Sequence, residues 1–260
     1  MNLIYLDYNA TTPLATEVIE AMKPFMEVYF GNPSSAYVLG QKTRLAVEEA
    51  RRQVSTLLGC QPDEVIFTSG GTESNNMAIK GAALANRSKG NHIITSCIEH
   101  PSVLEVCHWL ESHGFRITYL PVDEFGRVDL DAFRAAISEE TIIVSIMHSN
   151  NDTGSLQPVQ EIGMIAKQHG ILFHVDASQI IGKIPVKVDD FCVDLLSVAG
   201  HKFYAPKGIG ALYIRRGVKI EKIIHAASQE FGWRPGTENV IHIAGLGMAC
   251  KLVNERLEND

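Results

Sequence analysis

The sequence lacks the features of membrane proteins, secreted proteins and nucleic-acid-binding proteins. No apolar run is long enough to span a bilayer, and residues 1–13 lack a basic stretch followed by a long apolar core. No long basic run occurs, and the formal net charge is -7. We therefore expect a soluble protein without a signal peptide that binds neither membranes nor nucleic acid.

Paired cysteines are also missing. The five cysteines are scattered and odd in number, and no C-x-x-C motif occurs. This usage is typical of free thiols in a reducing compartment, so we expect a cytoplasmic protein. Cys97 and Cys107 fall in strand-like and helical patterns, whose apolar faces usually hold free cysteines, and we expect both thiols to be buried.

What the sequence does contain is an alternation of strand and helix patterns. The chain has 260 residues, of which 45% are hydrophobic, and this is enough to bury a sizeable core. Its short apolar runs are rich in Ile and Val and mostly not alternating, as in strands that are covered on both faces. Seven runs predict strands, at 64–69, 92–96, 116–122, 141–147, 171–177, 194–200 and 210–216. Because helical patterns lie between them, the sequence predicts an α/β fold with a mainly parallel seven-stranded sheet between helices.

A lysine and an aspartate stand at the ends of two predicted strands. Lys202 follows one run at the edge where α/β sheets bind ligands, and a desolvated lysine can form a Schiff base. Asp176 ends another run, where a buried carboxylate needs a cation such as a protonated pyridine nitrogen, and Gln179 could bond a phenolic oxygen. Taken alone, Lys202 is more often a surface lysine. Asp176 could instead cap a helix or form a metal pair with His174, although no third ligand stands at a suggestive spacing.

The stretch TSGGTESNN, residues 68–76, joins a strand to a helix through two glycines. A helix that starts at Thr72 would present free N–H groups and the positive end of its dipole, which together form a ready phosphate site. The stretch is not a P-loop, because no Gly-Lys-Ser/Thr follows. The plain alternative is a capped helix start with Thr72 as the N-cap residue.

Two further strand ends carry polar side chains. His100 follows a strand and could stack on a flat aromatic ligand or move protons, although a lone histidine is more often structural. Asn150 and Asn151 follow the next strand but one and offer amides to a cofactor or a carboxylate, or simply form a turn. Each signal is weak alone, but the whole set is what a phosphorylated pyridine aldehyde needs.

With these residues in place, the sequence resembles the class V aminotransferase-like enzymes that use pyridoxal phosphate (PLP), and within them the cysteine desulfurase family, close to selenocysteine lyase. The matching stretches run in order from residue 5 to residue 239. They are YLDYNATTP, GNPSS, FTSGGTESNN, EH, VSIMHSNNDTG, HVDASQ, GHKFYAPKGIGALYIRRG and WRPGTEN. The resemblance implies PLP as the cofactor and the fold of the large domain of fold-type I PLP-dependent transferases.

The resemblance also implies a role for each matching residue around the pyridine ring. Lys202 would form the Schiff base and move the substrate's protons, and His100 would stack on the ring as the second catalytic residue. Asp176 would pair with the pyridine nitrogen and Gln179 with the phenolic oxygen. Asn151 would contact the substrate or the edge of the cofactor.

The cofactor's phosphate would be held from two subunits. The backbone at Gly71, together with Thr72 and His201, would bind it within the chain. Thr237 matches the residue that family members lend to the partner's phosphate, which implies a homodimer with shared sites. No metal is implied.

The resemblance implies the conversion of L-cysteine to L-alanine, with the sulfur transferred to an acceptor for iron–sulfur cluster assembly or tRNA thiolation. A sulfur-acceptor or scaffold protein would then be a partner. The alternatives are a selenocysteine lyase, another class V lyase or aminotransferase, and a PLP-binding protein without catalysis.

The match ends before the C-terminal domain that the family builds. That domain carries a persulfide-forming cysteine and a substrate-binding arginine, and no residue of this sequence matches them. We therefore expect a small-domain segment at 1–15, a PLP-binding large domain at 16–238 and the start of a connecting helix at 239–260. The expected activity is that of a truncated, impaired enzyme.

Three smaller departures fall inside the matching stretches. Ala199 replaces a phosphate-binding serine, so we expect one phosphate hydrogen bond to be missing. The run HAASQEFG, residues 225–232, replaces a glycine-rich loop and should be stiffer. Asp152 replaces a glutamate, and the shorter side chain should shift Asn151.

Overall fold

A seven-stranded sheet forms the centre of the fold. The structure, a computed structural model, describes residues 4–257. Within them the strands are β1 (Val65–Thr68), β2 (His92–Ser96), β3 (Arg116–Leu120), β4 (Thr141–Met147), β5 (Leu172–Asp176), β6 (Leu195–Ala199) and β7 (Gly210–Ile214). Their order across the sheet is β1-β7-β6-β5-β4-β2-β3. β7 pairs antiparallel with both β1 and β6, whereas the other strand pairs of this described sheet are parallel, so the prediction of a mainly parallel seven-stranded sheet is confirmed.

Helices cover both faces of this sheet. Over residues 4–257 they are α1 (Thr16–Glu27), α2 (Val38–Leu58), α3 (Gly71–Ala85), α4 (Pro101–Glu111), α5 (Leu130–Ala136), α6 (Val159–Gln168) and α7 (Val240–Arg256). α3 and α4 share one apolar core with Ile143 of β4, whereas α2, α5, α6 and α7 share the other with Val144. Neighbouring strand residues enter different cores because side chains alternate across a strand. Among these helices none has both the length and the apolar character needed to cross a membrane.

The burial of the strands explains why their sequences are continuous rather than alternating. Every residue of β2, β4, β6 and β7 is buried, since each of these strands has a neighbour on either side and a helical layer above and below. β3 is the exception, with an exposed Arg116 and a buried Leu120. It lies at the edge of the sheet, where one side faces solvent.

The carboxyl ends of the parallel strands meet at one edge of the sheet. The register pairs Met147 of β4 with Asp176 of β5, and Asp176 with Ser197 of β6. The first residue of α3 lies at the same edge, because a Cβ built on Gly71 would stand 3.3 Å from the Cβ of Ala199. This edge therefore collects the polar residues that follow the strands.

The N-terminal segment is bound to the same edge through the turn that follows β6. The hydroxyl and the N–H of Thr12 both donate to the carbonyl of His201 at 3.0 Å. The N–H of Tyr204 in turn donates to the Thr12 hydroxyl at 2.8 Å. Residues far apart in the sequence thus meet beside the strand ends.

Two expectations on single residues are wrong. Cys97 is exposed, because β2 ends at Ser96 and the next residue lies in a turn beyond the sheet. Cys107 is buried in α4 as expected, and burial raises the pKa of its thiol to about 12. Thr72 is not an N-cap residue, because α3 begins at Gly71 and Gly70 takes the N-cap position.

Candidate active site

A cleft of about 240 Å³ opens at the carboxyl edge of the sheet. It is lined by eight of the nine predicted site residues, namely Gly71, Thr72, His100, Asn151, Asp176, Gln179, His201 and Lys202. The set comes from five separate segments of the chain, which the fold brings together. The ninth predicted residue, Thr237, does not line the cleft.

Asp176 is a buried carboxylate with two hydrogen-bond donors. Its Oδ2 accepts from the side-chain amide of Asn75 at 2.8 Å, and its Oδ1 accepts from the N–H of Ser178 at 2.9 Å. Residues 178–183 form turns rather than a helix, so the helix-cap alternative is wrong. The two donors fix the carboxylate in place and leave it able to bind a cation in the cleft.

The metal alternative for His174 and Asp176 has no support. The His174 ring is buried and bonds the hydroxyls of Ser145 and Ser197 at 2.8 and 2.9 Å. Burial lowers its pKa to about 4, against an opposing effect of Asp176. No cluster of metal-ligating side chains occurs within residues 4–257. His174 therefore holds β4, β5 and β6 together.

Lys202 is half-buried at the end of the Gly200–Lys202 turn and is not a freely exposed surface lysine. Its Nζ donates to the main-chain carbonyl of Asn9 at 2.5 Å. Burial lowers the pKa of this ammonium, although Asp176 and Asp7 act in the opposite direction. A lysine with a lowered pKa is closer to the neutral form that attacks an aldehyde or accepts a proton.

Asn9 is a site residue that the sequence did not reveal. Its carbonyl also accepts from Gln179 Nε2 at 3.1 Å, and its side-chain oxygen accepts from Lys183 Nζ at 3.1 Å. Lys183 also donates to Gln179 Oε1, and burial and Lys202 lower its pKa. The stretch YLDYNATTP was a matching signature, but nothing in it indicated that a main-chain oxygen would face the lysine.

The N-terminus of α3 forms one end of the cleft. A Cβ at Gly71 would come within 2.8 Å of the Ser178 hydroxyl, so only glycine leaves this space free. The unpaired N–H groups of the first helical turn and the helix dipole make the space favourable for an anion. His201 borders it, with Nδ1 bonded to the Thr11 hydroxyl at 3.1 Å. Burial, Lys202 and Lys207 lower the pKa of His201.

His100 is an exposed N-cap residue at the start of α4. Its Nδ1 accepts from the N–H of Ser102 at 3.1 Å and lies 2.8 Å from the Ser102 hydroxyl. That hydroxyl accepts from Asn75 Nδ2, so it donates to His100 and makes Nδ1 an acceptor. The neutral ring therefore carries its proton on Nε2. Asn75 in this way connects Asp176 to His100.

Asn151 and the segment that carries Thr237 make contacts with residues other than the predicted site residues. The side-chain amide of Asn151 donates to Asp152 Oδ1 at 2.8 Å. The aspartate that stands at 152 in place of the family's glutamate therefore bonds the neighbouring Asn151 directly. Thr237 is exposed, and the ion pair of Arg234 with Glu73 at 3.0 Å ties its segment to the first turn of α3. In a single chain, Thr237 stays apart from the other site residues.

The sequence profile of the aminotransferase class-V family matches residues 4–260. The chain belongs to this family. Among class-V relatives it is 59% identical over 249 residues to a cysteine desulfurase IscS of Dictyoglomus turgidum, and 53% identical over 255 residues to one of Methanosarcina thermophila. These alignments cover 96% and 98% of this chain but 63% of each relative, so the chain spans less than two thirds of the length of the curated relatives.

Solved structures agree with the class-V assignment. A structure of SspA in complex with cysteine is 43% identical, with a TM-score of 0.93, and the match covers 96% of this chain and 72% of that one. A NifS-like protein is 42% identical, with a TM-score of 0.96 and coverage of 98% and 70%. The fold is therefore that of the fold-type I PLP-dependent enzymes, as expected.

PLP is the cofactor of class-V enzymes, and the residues of this cleft fit it. The space that a Cβ on Gly71 would fill, at the N-terminus of α3, suits a phosphate group. The buried carboxylate of Asp176 suits a protonated ring nitrogen, and Lys202 suits the aldehyde carbon. The donor set thus matches each polar part of the cofactor.

Proposed function

We propose that this chain carries the cofactor-binding and proton-transfer residues of a cysteine desulfurase. The observation that carries the proposal is the convergence of Lys202, Asp176 and Gln179 with the N-terminus of α3 in one cleft. The names of the curated relatives and the cysteine complex of SspA support the substrate. The overall reaction converts L-cysteine to L-alanine and transfers sulfur to an acceptor used for iron–sulfur clusters or tRNA thiolation.

Asp176 sets the electronic state of the site. Bound PLP supplies an electron sink for the negative charge that develops at the substrate Cα. Asp176 would keep the ring nitrogen protonated, and Asn75 and Ser178 hold its carboxylate in place through their hydrogen bonds. The side-chain amide of Gln179, which bonds the Asn9 carbonyl, would bind the phenolic oxygen.

Lys202 would hold the cofactor covalently through Nζ. Its free amine would take the proton from the substrate Cα and would later return a proton as alanine forms. Its lowered pKa favours the neutral amine that the first of these steps requires. His100 would stack on the cofactor ring. Because its Nδ1 is fixed as an acceptor, Nε2 is the imidazole atom that can donate. Asn151 would contact the substrate or the cofactor edge.

The phosphate is bound by Gly71, Thr72 and His201 of one chain and by Thr237 of a second copy. The exposure of Thr237 outside its own cleft supports a homodimer in which each copy completes the other's site. A sulfur-acceptor or scaffold protein would dock at the same assembly. The five free cysteines of the described chain support a cytoplasmic location.

We propose that residues 16–238 form the PLP-binding large domain, with 1–15 as a small-domain segment and 239–260 as the start of a connecting helix. No cysteine of this sequence matches the family's persulfide-forming residue, and no arginine matches its substrate-binding one. The 260-residue chain alone should therefore release sulfide from cysteine weakly or not at all.

The cofactor claim is tested by colour. Once unbound PLP has been removed, the 260-residue chain should keep a yellow absorption that borohydride abolishes, and Lys202→Ala should lack it. Lys183→Ala is the matched control, because Lys183 bonds Gln179 beside the cleft but has no covalent role, and this variant should stay yellow. A colourless parent chain, or a Lys202→Ala variant that keeps the borohydride-sensitive colour, would contradict the proposal.

The proton-transfer claim is tested without sulfur release. In D₂O, the loaded chain should exchange the α-proton of L-cysteine, and nuclear magnetic resonance of the amino acid measures the rate. Lys202→Ala should lose the exchange, whereas Lys183→Ala should keep it. Exchange of selenocysteine or alanine but not of cysteine would favour a lyase or an aminotransferase instead.

A further inference from the structure

Glu99 is a buried carboxyl group to which the proposed mechanism gives no task. Glu99 is 4% exposed, although it immediately precedes the exposed His100. Its Oε1 accepts from the Ser96 hydroxyl at 2.6 Å and from the N–H of Met147 at 2.9 Å. One carboxyl oxygen thus joins the end of β2 to the end of β4.

This bridge lies where the strands no longer pair. The ladder between β2 and β4 ends at Thr95 and Ser145, two residues before Met147. Glu99 accepts from the N–H of Met147 beyond that point, and Asn150 Nδ2 donates to the carbonyl of Ile98 at 3.2 Å. The turn at 97–100 is therefore bound to Met147 at the end of β4 and to Asn150 just beyond it, and His100 at the end of this turn is the N-cap residue of α4.

The other carboxyl oxygen indicates the charge of the group. Glu99 Oε2 is buried and has no hydrogen-bond partner within residues 4–257. The titratable groups that face Glu99 are Asp176 on β5 and the neutral thiol of Cys107 on α4, and no side-chain cation of the described chain pairs with it. A buried carboxylate without a cation costs far more free energy than a buried protonated acid. Burial, reinforced by Asp176, raises the pKa of Glu99 to about 8.

We propose that Glu99 is a positioning residue that works as a neutral acid. Its carboxyl group fixes the 97–100 turn to the end of β4 and so holds His100 at the cleft, without placing a second anion beside Asp176. The inference rests on the proposed cofactor site, because His100 is the residue whose placement the cofactor would sense.

Two variants of Glu99 separate the effect of its two hydrogen bonds from the effect of its charge. Glu99→Gln keeps an oxygen that can accept both hydrogen bonds and stays neutral, so it should bind PLP within about threefold of the parent chain. Glu99→Ala removes the bridge and should weaken PLP binding about tenfold or more and shift the absorption maximum. The ring resonance of His100 in a ¹H–¹⁵N spectrum should move in the alanine variant and be restored in the glutamine variant. Circular dichroism confirms that both variants fold.

The charge state has its own readout. Infrared spectra of chain labelled with ¹³C-glutamate should contain a protonated-carboxyl band near neutral pH that is absent from Glu99→Gln. The acid is the working form, so the band should fade and PLP binding weaken as the pH rises through about 8. In Glu99→Gln the PLP affinity should not weaken in this way as the pH rises through about 8, which distinguishes the titration of Glu99 from that of other groups.

Three results would overturn the inference. They are a glutamine variant as weak as the alanine variant, an alanine variant that leaves His100 and PLP affinity unchanged, and the absence of a Glu99 carboxyl band near neutral pH. If the parent chain binds no PLP at any pH, the proposed function fails. The His100 resonance and the infrared band then still decide the role and the charge of Glu99.

Discussion

At the residue scale, Asn75 connects the floor of the cleft to its wall. It is 1% exposed, and its amide nitrogen donates both to Asp176 and to the Ser102 hydroxyl. Ser102 passes the bond on to His100. One amide thereby fixes the Asp176 carboxylate at the end of β5 and the His100 ring at the start of α4.

Replacement of Asn75 should therefore weaken cofactor binding. Asn75→Ala leaves a buried carboxylate with one donor fewer, a loss of about 1.5–3 kcal/mol for a bond to a charged group, or roughly tenfold to a hundredfold in PLP affinity. Titration of PLP by absorbance measures it. Asn76→Ala is the control, since that amide donates to the Thr72 carbonyl in the same helix. Equal affinities in the two variants would refute the role of Asn75.

Buried histidines should make the fold sensitive to acid. Burial lowers the pKa of His92, His148 and His174 to about 4, from an ordinary value of 6.5. The unfolded chain then binds more protons than the folded chain between these values, so the free energy of unfolding falls as the pH drops through this window.

Replacement of one of these rings should flatten that pH dependence. His174→Gln removes one such group, and its melting temperature should fall less steeply from pH 6.5 towards 4 than that of the parent chain. The exposed His113 provides the control His113→Gln, whose pH profile should match the parent. Parallel profiles for all three proteins would count against a neutral buried His174.

Single residues also mark where prediction from sequence ends. Lys202, Asp176 and His100 could be singled out because each follows an apolar run at a strand end. Asn9 and Ser178 could not, because their part depends on a carbonyl and a hydroxyl brought close by the fold. The contact between Lys202 and Asn9 spans 193 positions of sequence, and no local pattern encodes it.

At the scale of elements, a buried ion pair anchors the segment that carries Thr237. Arg51 of α2 bonds both carboxylate oxygens of Glu230, at 2.9 and 2.7 Å, and both side chains are 3% exposed. Glu230 also accepts from the N–H of Phe67, and Arg51 donates to the carbonyl of Val65. The segment is thereby fixed to β1 and α2.

Removal of one partner of this pair should be strongly destabilising. Glu230→Ala or Arg51→Ala leaves a buried charge unpaired and should lower the free energy of unfolding by about 3–5 kcal/mol. Arg52→Ala, which breaks an exposed pair with Glu49, should cost about 1 kcal/mol or less. Denaturant unfolding gives the values. Arg51 and Arg52 variants of equal stability would show that the buried pair contributes nothing.

The elements and the mainly parallel sheet were largely predictable, and the antiparallel direction of β7 was not. Continuous apolar runs such as those of β4 and β6 indicate strands because a strand that is covered on both faces needs apolar side chains on both. Burial does not indicate the direction of a strand in the sheet, since β7 is as buried as β6 yet runs antiparallel to it. Cys97 was misplaced because it stands one residue beyond the predicted run 92–96, which has the same bounds as β2, and it therefore lies outside the buried strand.

At the scale of the whole molecule, cofactor binding should be visible as stability. A ligand that binds only the folded chain adds about 2.7 kcal/mol at a concentration of 100 times its Kd, and about 5–10 °C in Tm for a chain of this size. Thermal melts with and without PLP measure the shift. Lys202→Ala should show a smaller rise than the parent, and no rise in the parent would contradict a PLP site.

The same scale explains the place of Thr237. Eight predicted residues meet in one cleft, and Thr237 lies outside it on a segment tied to α3 by Arg234 and Glu73. A single sequence indicates binding to a second chain only through the residues that the folded chain exposes. Dimerisation therefore stays a prediction, and the mass of the assembly in solution measures it.

The carbonyl of Asn9 has a practical consequence for mutagenesis. The contact to Lys202 and Gln179 is made by a main-chain oxygen, and every amino acid supplies one. An alanine scan of the cleft would report position 9 through its bond to Lys183 alone and would miss the other two contacts. Trimming the N-terminus, or replacing that amide bond with an ester by chemical synthesis, reaches what side-chain replacement cannot.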